Sequence, residues 1–343
     1  MALFLISFFV VRTAALTEEI ATPIETAEVK RLDREISLNQ NSAPASGVAS
    51  PVDEAQIARR TFGMKLVNED VTDEDLDSLS DLGITIIEGE WGMEDATPQQ
   101  VLVLLDRVRA RDMKLIMNFT DESAWGYGEE KKNTTKPVWQ SEAVQSYVRA
   151  LKNHPALYGY DISNEAGENL PHGDSVRITA EQMLAAANDV RTIDATHPIL
   201  MRMHYWDRFD GDFTAANPFA AGIADIVMLN LYSNWTRDGM KPETPNMLFL
   251  SGQSLVDTVK AVDPHARVWI ALAAFREQPY FLKPSAADLQ RDIDATLSIK
   301  GIENISFFGF GPERYPNEGS GWDLTRDGKD LLEVMRNAIA RSR

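Results

Sequence analysis

Carboxylate, amide and aromatic side chains follow the short apolar runs of this sequence. The most compact case is Asn164-Glu165, which comes just after the apolar run at residues 157–162. A carboxylate can transfer a proton, and carboxylates and amides together can bind hydroxyl groups. Trp and Tyr combine a large apolar face with a polar edge, which suits stacking on a sugar ring. These residue types therefore predict a carbohydrate site.

Similar residues follow the other apolar runs. The candidates for contacts with a sugar are Glu90, Trp91, Asn118, Asn164, His204, Tyr232, Trp235, Glu313 and Trp322, with Trp125 as a further stacking platform. Any one of them is equally well explained by packing within the protein, because loops between regular elements collect polar residues. Their shared position after the apolar runs favours a common site.

The elements that would position these residues form a repeating pattern. The apolar runs predict strands at residues 61–67, 84–88, 114–119, 157–162, 199–204, 226–231, 268–273 and 305–310. The amphipathic segments between them predict helices at residues 73–82, 98–111, 141–153, 180–194, 250–262, 286–299 and 327–340. Continuous apolar runs of this length suit parallel strands that are buried on both faces.

This alternation predicts an α/β fold, a (β/α)8 TIM barrel with an N-terminal extension. A doubly wound open sheet is the alternative, and the lack of a glycine-rich turn after the first strand argues against it. In a (β/α)8 barrel the active site forms at the carboxyl ends of the strands. Asn164 and Glu165 then lie at the end of the fourth strand, within the predicted site.

The segment from His154 to Glu165 resembles the clan A glycoside hydrolases, in which a helix ending in His-Pro precedes a strand ending in Asn-Glu. The resemblance implies that Glu165 is the general acid/base and that Asn164 binds the sugar 2-hydroxyl. Residues 224–232 are similar to the sixth strand of these enzymes, where a Tyr faces the site. The likeness covers residues 60–343, and the strand 4 motif is its sharpest part. It predicts a hydrolase of β-linked glycans.

Glycoside hydrolysis needs a second carboxyl group, about 5–5.5 Å from the first for retention and about 6.5–9.5 Å for inversion. In clan A enzymes this group is a Glu at the end of the seventh strand. Here the matching position falls at residues 271–273, which read Ala-Leu-Ala. Glu277 follows soon after and is the predicted partner of Glu165. Other carboxylates near the strand ends are Glu88, Glu90, Asp121 and Glu313.

Three interpretations follow from the missing strand 7 carboxylate. In the first, Glu277 or another rim carboxylate works with Glu165 in a divergent glycosidase. In the second, the protein is a catalytically inactive barrel that binds glycan or serves a structural role, since a fold can persist when its chemistry changes. In the third, Glu165 is structural and pairs with an arginine near the rim, such as Arg202 or Arg276.

The composition disfavours other classes of function. A net charge of −18 repels phosphate backbones, so we expect no nucleic-acid partner. The sequence has no Cys, which excludes disulfides, thiolate metal sites and cysteine nucleophiles. Its five His residues form no HExxH motif and no close pair, so we expect no metal site. No cofactor is predicted, and the sequence does not specify an oligomeric state.

The N-terminal residues differ from the rest of the chain. Residues 1–16 contain an apolar run that is too short to span a bilayer and that resembles a signal peptide, followed by small residues. This predicts an extracellular or periplasmic protein, whereas the alternative is an apolar N-terminal arm. Residues 17–56, rich in Thr, Ser, Ala, Glu and Pro, predict a flexible linker, and residues 57–343 the barrel. No integral membrane span is predicted.

Overall fold

The computed structural model of the 343-residue chain describes residues 60–66, 71–89, 93, 96–120, 122–126, 137–164, 178–204, 219–234, 246–276, 281–311 and 323–342. These residues all lie in one compact unit, Val52–Arg343. The predicted signal peptide or arm at residues 1–16 and the predicted linker at residues 17–56 lie outside the described residues.

The described residues form eight parallel strands in a closed barrel whose strand order follows the chain. The strands are β1 Thr61–Leu66, β2 Ile86–Glu88, β3 Lys114–Asn118, β4 Leu157–Asn164, β5 Ile199–His204, β6 Ile226–Asn230, β7 Arg267–Ala273 and β8 Ile302–Phe310. β1 pairs with both β2 and β8, which closes the ring. The predicted TIM barrel is therefore confirmed, and the open-sheet alternative is wrong.

Helices connect the strands on the outside of the barrel. In the described parts of the chain they are α1 Asp73–Leu82, α2 Pro98–Arg109, α3 Glu122–Trp125, α4 Ser141–Leu151, α5 Ala180–Ile193, α6 Asn246–Val262, α7 Ala286–Ser298, α8 Leu324–Asp327 and α9 Lys329–Arg341. Four of them begin with a capping box, formed by Thr72, Thr97, Thr179 and Ser285. None of the described helices is both long and apolar enough to cross a membrane.

The predicted helix boundaries agree with the structure to within two residues, apart from three differences: the sequence pattern does not predict α3, α6 begins at Asn246 instead of residue 250, and the C-terminal end differs. There the single predicted helix at residues 327–340 is two helices, α8 and α9, separated by Gly328. Asp323 caps α8 by accepting hydrogen bonds from the Thr325 backbone N–H and hydroxyl. A glycine is a poor helix residue, so the break falls where continuing the helix would be costly.

Two apolar layers hold the barrel together. The larger lies between the strands and the helices and contains residues such as Leu105, Tyr160 and Phe307. The smaller fills the barrel interior; its buried members are Ile86, Ile116, Leu200, Ile226, Met228, Trp269 and Ala271. Polar side chains follow most of these interior residues along their strands, toward the carboxyl ends. The smaller, interior layer therefore lies directly beneath the candidate site.

Candidate functional site

A buried arginine joins three strands near their carboxyl ends. The guanidinium of Arg202 on β5 donates from Nε to Asp161 on β4 at 2.6 Å and from Nη2 to Glu88 on β2 at 2.7 Å. All three side chains are 3% exposed or less. Buried charges are tolerated when they are paired and hydrogen-bonded, so these ion pairs lock the relative positions of the three strands.

Two further side chains extend this cluster across β1 and β8. The hydroxyl of Ser306 on β8 donates to the second carboxylate oxygen of Glu88. Lys65 on β1 is also buried, and its ammonium lies 5.2 Å from the centre of the Phe308 ring. We call Lys65, Glu88, Asp161 and Arg202 the charged layer. Its two cations balance its two carboxylates, which suits burial inside the barrel.

Burial and ion pairing oppose one another at the charged layer. Burial raises the pKa of Asp161 above its ordinary value, although the nearby Arg202 and Lys65 favour the ionised form. For Arg202, burial opposes the charge, but Glu88 and Asp161 raise its pKa above the ordinary value. Arg202 therefore stays cationic and holds both carboxylates in place.

The end of β4 contains a bulge just before the candidate catalytic pair. Asp161 is in register with Leu200 and Asn164 with Arg202, so β4 takes three residue steps where β5 takes two. In a regular strand, residues three apart face opposite sides. The extra residue instead places Asn164 on the inner face, in register with the inward-facing Arg202. Asn164 is exposed there, whereas Asp161 is buried.

The predicted sugar platform Trp125 is instead a buried structural residue. Its indole is fully buried, lies 4.8 Å from the ring of Trp139, and donates from Nε1 to the Ile162 carbonyl at 3.0 Å. The prediction that it stacks on a sugar is therefore wrong. The sequence places Trp125 shortly after a strand end, but helix α3 turns it back against β4.

The His-Pro sequence before β4 has a structural explanation at the opposite end of the barrel. His154 Nδ1 accepts from the Ala156 backbone N–H at 3.2 Å, which leaves Nε2 to donate to Asp106 at 3.1 Å. These contacts fix the turn that leads into β4. The His-Pro motif therefore fixes the start of β4. The start of the strand in turn sets which residues lie at its carboxyl end.

An aromatic cluster lies near the carboxyl ends of β6, β7 and β8. Tyr232 contacts the rings of Phe275, Phe281 and Phe308 at centroid distances of 5.3, 6.1 and 5.7 Å. Asn234 holds this region by donating to the carbonyls of Phe275 and Leu282 at 2.9 Å each. Tyr232 and Phe308 are only partly buried. The strand ends thus carry aromatic rings on one side and charged or amide groups on the other.

The remaining predicted site residues divide into two groups. Asn118 ends β3 and is buried, with its Oδ1 accepting from the Thr120 N–H at 2.9 Å, and His204 ends β5 in register with Asn230. The second group lies outside the described residues: Glu90, Trp91, Asp121, Glu165, Trp235, Glu277, Glu313 and Trp322. Within the described ranges no group of three or more His, Asp or Glu side chains is arranged to hold a metal ion.

Sequence reasoning missed the charged layer as a unit. The sequence pattern suggests a rim carboxylate at Glu88 and an alternative partner for Glu165 at Arg202, whereas the structure pairs these two residues with each other. A signal was present, because Lys65, Glu88, Asp161 and Arg202 all interrupt otherwise apolar strands. Buried charged residues are rare unless they are paired.

Several solved structures share this architecture. A GH5_18 variant from Streptomyces cattleya in complex with Manb1-4GlcNAc is 18% identical, with a TM-score of 0.63 over 83% of this chain and 81% of the other. A GH5_18 variant from Bifidobacterium longum with the same ligand is 13% identical, with a TM-score of 0.61 over 82% and 78%. An endoglucanase from Pseudomonas stutzeri in complex with cellobiose is 17% identical, with a TM-score of 0.56 over 82% and 93%.

This chain has the barrel fold of those glycoside hydrolases. No protein-family model matches the sequence, and neither does any curated protein. At these identities the likeness concerns the fold, since one barrel architecture supports many chemistries.

Proposed function

We propose that this protein is a glycoside hydrolase that acts on β-linked glycans, with Glu165 as the general acid/base. The observation that carries the proposal is the position of Asn164, which is exposed on the inner face at the carboxyl end of β4. Glu165 is the next residue along the chain. Active sites of (β/α)8 enzymes form at this end of the barrel. The amide of Asn164 would bind the sugar 2-hydroxyl.

The ligands named for the structural neighbours support the substrate class. Two of them were solved with Manb1-4GlcNAc and one with cellobiose, and a further neighbour is an exo-beta-1,4-mannosidase. The exposed Asn164 and the partly buried aromatic cluster offer the hydroxyl-binding and stacking groups that such a ligand requires.

The charged layer narrows the choice of the second carboxylate. Both oxygens of Glu88 accept hydrogen bonds, from Ser306 and Arg202. Both oxygens of Asp161 are likewise engaged, by the Ser163 backbone N–H and by Arg202. Neither group is free to attack a sugar or to activate water. We therefore keep Glu277 as the proposed partner, with Glu90, Asp121 and Glu313 as the alternatives.

In the proposed reaction Glu165 protonates the glycosidic oxygen as the bond to the anomeric carbon breaks. Glu277 either attacks the anomeric carbon directly or takes a proton from the attacking water. The first route retains the anomeric configuration and the second inverts it. The proton on Glu165 leaves with the aglycone. On the retaining route the Glu165 carboxylate then takes a proton from a water that attacks the anomeric carbon and breaks its bond to Glu277. On the inverting route Glu277 releases its proton to solvent, and Glu165 takes one from solvent.

The test compares matched carboxylate variants on a panel of aryl β-glycosides. We expect Glu165→Gln and Glu277→Gln each to lower kcat by roughly a thousandfold or more, since each removes a group needed in the transition state. Glu303→Gln is the control, because Glu303 lies near the amino end of β8 and its side chain is about half exposed. Unchanged turnover in Glu165→Gln would remove Glu165 from the mechanism.

A second candidate function is glycan binding without hydrolysis. The observation that favours it is that β7 ends in Ala271-Leu272-Ala273, with no carboxylate along the whole strand. A wild-type protein that binds a β-linked oligosaccharide by calorimetry but cleaves none of the panel would support this function instead. We also propose export to an extracellular or periplasmic location, which mass determination of the mature N-terminus would test.

A further inference from the structure

The bulge in β4 depends on a side chain from a different segment of the chain. Trp125 on α3 binds the carbonyl of Ile162, which lies between the two register points Asp161 and Asn164. The carbonyl belongs to the bulged residues, which have no register partner on β5. A buried backbone carbonyl needs a hydrogen-bond donor, and the indole N–H supplies one from outside the sheet.

The indole is itself held in place from two sides. The Val138 and Gln140 backbone N–H groups donate to the carbonyls of Trp125 and Ala124, each at 2.8 Å. The ring of the adjoining Trp139 packs edge-on against Trp125, and its Nε1 donates to Asp189 on α5 at 2.9 Å. The indole N–H of Trp125 therefore has a fixed position. The carbonyl of Ile162 must lie where it can accept the hydrogen bond.

We propose that Trp125 is a positioning residue for Asn164: its hydrogen bond to Ile162 maintains the bulge that turns Asn164 onto the inner face of the barrel. This inference rests on the proposed function for the part that concerns catalysis. Without the indole N–H, the Ile162 carbonyl would lose its donor, and this hydrogen bond would no longer stabilise the bulge in β4. If the bulge were lost, the register of β4 against β5 would shift by one residue at this point. Asn164 would then face away from the inner side of the barrel and leave the site.

The structural part of the proposal is tested without any substrate. Trp125→Phe keeps an aromatic ring beside Trp139 but removes the N–H. We expect amide hydrogen exchange in residues 161–164 to accelerate by about tenfold or more, as expected when one buried hydrogen bond is lost. Trp139→Phe is the matched control, since it removes the equivalent N–H from Asp189 and leaves Ile162 bonded. Equal exchange in the two variants would overturn the proposal.

The catalytic part is tested on the β-glycoside that the wild type cleaves best. We expect Trp125→Phe to lower kcat and kcat/KM together by about tenfold, and Trp139→Phe to change them less than about twofold. If Trp125 acts through Asn164, then adding Trp125→Phe to Asn164→Ala should cause little further loss. Effects that multiply in the double variant would show that Trp125 acts by another route and would reject the proposal.

A second variant guards against loss of the fold. Replacing Trp125 with benzothienylalanine keeps the bicyclic shape and exchanges the N–H for sulfur, so it should reproduce both effects of Trp125→Phe. If the wild type cleaves no glycoside, the proposed hydrolase and the catalytic role of Trp125 fail together, while the exchange result still decides its structural role. If the wild type is active and both Trp125 variants behave like it, only the positioning role fails.

Discussion

The Nε of Arg202 donates to the carboxylate of Asp161 at 2.6 Å, three residues before Asn164 on the same strand. This ion pair links β4 to β5 on the inner side of the barrel, just below the bulge. The second arm of the guanidinium reaches Glu88 on β2, so one side chain fixes the floor beneath the proposed site.

Arg202→Met should destabilise the protein strongly. The substitution leaves Glu88 and Asp161 buried without the guanidinium that they share. Removing one partner of a buried ion pair lowers the free energy of unfolding by about 3–5 kcal/mol. Urea denaturation at neutral pH measures this loss. Arg341→Met is the control, because Arg341 pairs with Asp294 at 3.5 Å with both side chains about half exposed, and such a pair contributes less than about 1 kcal/mol. Similar losses in both variants would contradict the role of the charged layer.

Gly63→Ala should destabilise the protein because the added Cβ would collide with the Ser306 hydroxyl. Ser306→Ala should remove that collision. A Cβ at residue 63 would lie 2.9 Å from Ser306 Oγ and 3.3 Å from Glu88 Oε1, so Ser306 must rotate and release Glu88. We expect a loss of about 1–3 kcal/mol. In a Ser306→Ala background the same change meets no hydroxyl, and it should cost much less. A double-mutant cycle of unfolding free energies tests this, and simple additivity would count against it.

Asp292→Asn should change how stability depends on pH. Asp292 on α7 is buried beneath Ser233, and burial raises its pKa to about 6, although the Ser233 hydrogen bond opposes the shift. The folded state therefore holds this proton more tightly than the unfolded state, whose pKa is near 3.8. Stability contributed by the protonated form is present below pH 4 and is lost as the pH rises through 6.

The wild type should lose about 2 kcal/mol of unfolding free energy relative to Asp292→Asn between pH 4 and pH 7. Urea denaturation of both proteins across this range measures the difference. Asp257→Asn is a suitable control, since Asp257 lies on the exposed surface of α6. A difference between wild type and Asp292→Asn that stays constant with pH would disprove the assignment.

Gly309→Ala should disturb the aromatic cluster. Gly309 has a φ of +115°, and a Cβ there would lie 2.6 Å from the Cβ of Phe275. We expect a loss of about 2–4 kcal/mol, from backbone strain and from overpacking. Gly222→Ala separates the two causes, because Gly222 also has a positive φ of +82° but no atom within 4 Å of the added Cβ. Near-ultraviolet circular dichroism should change only in Gly309→Ala, and an equal change in both variants would refute the packing argument.

The barrel follows from local sequence patterns to a large extent. The runs at residues 199–204 and 73–82 predict β5 and α1 with the observed ends, because burial on both faces and a capping box are local properties. Asn164 also lies at the carboxyl end of β4, where the sequence pattern predicts it. These features require only the spacing of apolar residues and the order of elements.

The parts that escaped prediction depend on contacts between distant residues. The bond from Trp125 to Ile162 spans 37 positions, and the ion pair of Arg202 with Glu88 spans 114. A strand pattern cannot show that β4 continues to Asn164 through a bulge, since the donor that stabilises the bulge lies on another element. For the same reason the sequence suggests an exposed Trp125, whereas the folded chain buries it.

The pairing of β1 with β8 has a consequence for synthesis on the ribosome. Asn304 donates to Thr61 across 243 positions, and Arg60 reaches the carbonyls of Leu297 and Ile299. Contacts this remote in sequence form slowly. Until β8 emerges, β1 and β7 are unpaired sheet edges, which can associate with other nascent chains. A chain whose synthesis stops before residue 302 should therefore keep both edges unpaired and be prone to aggregation.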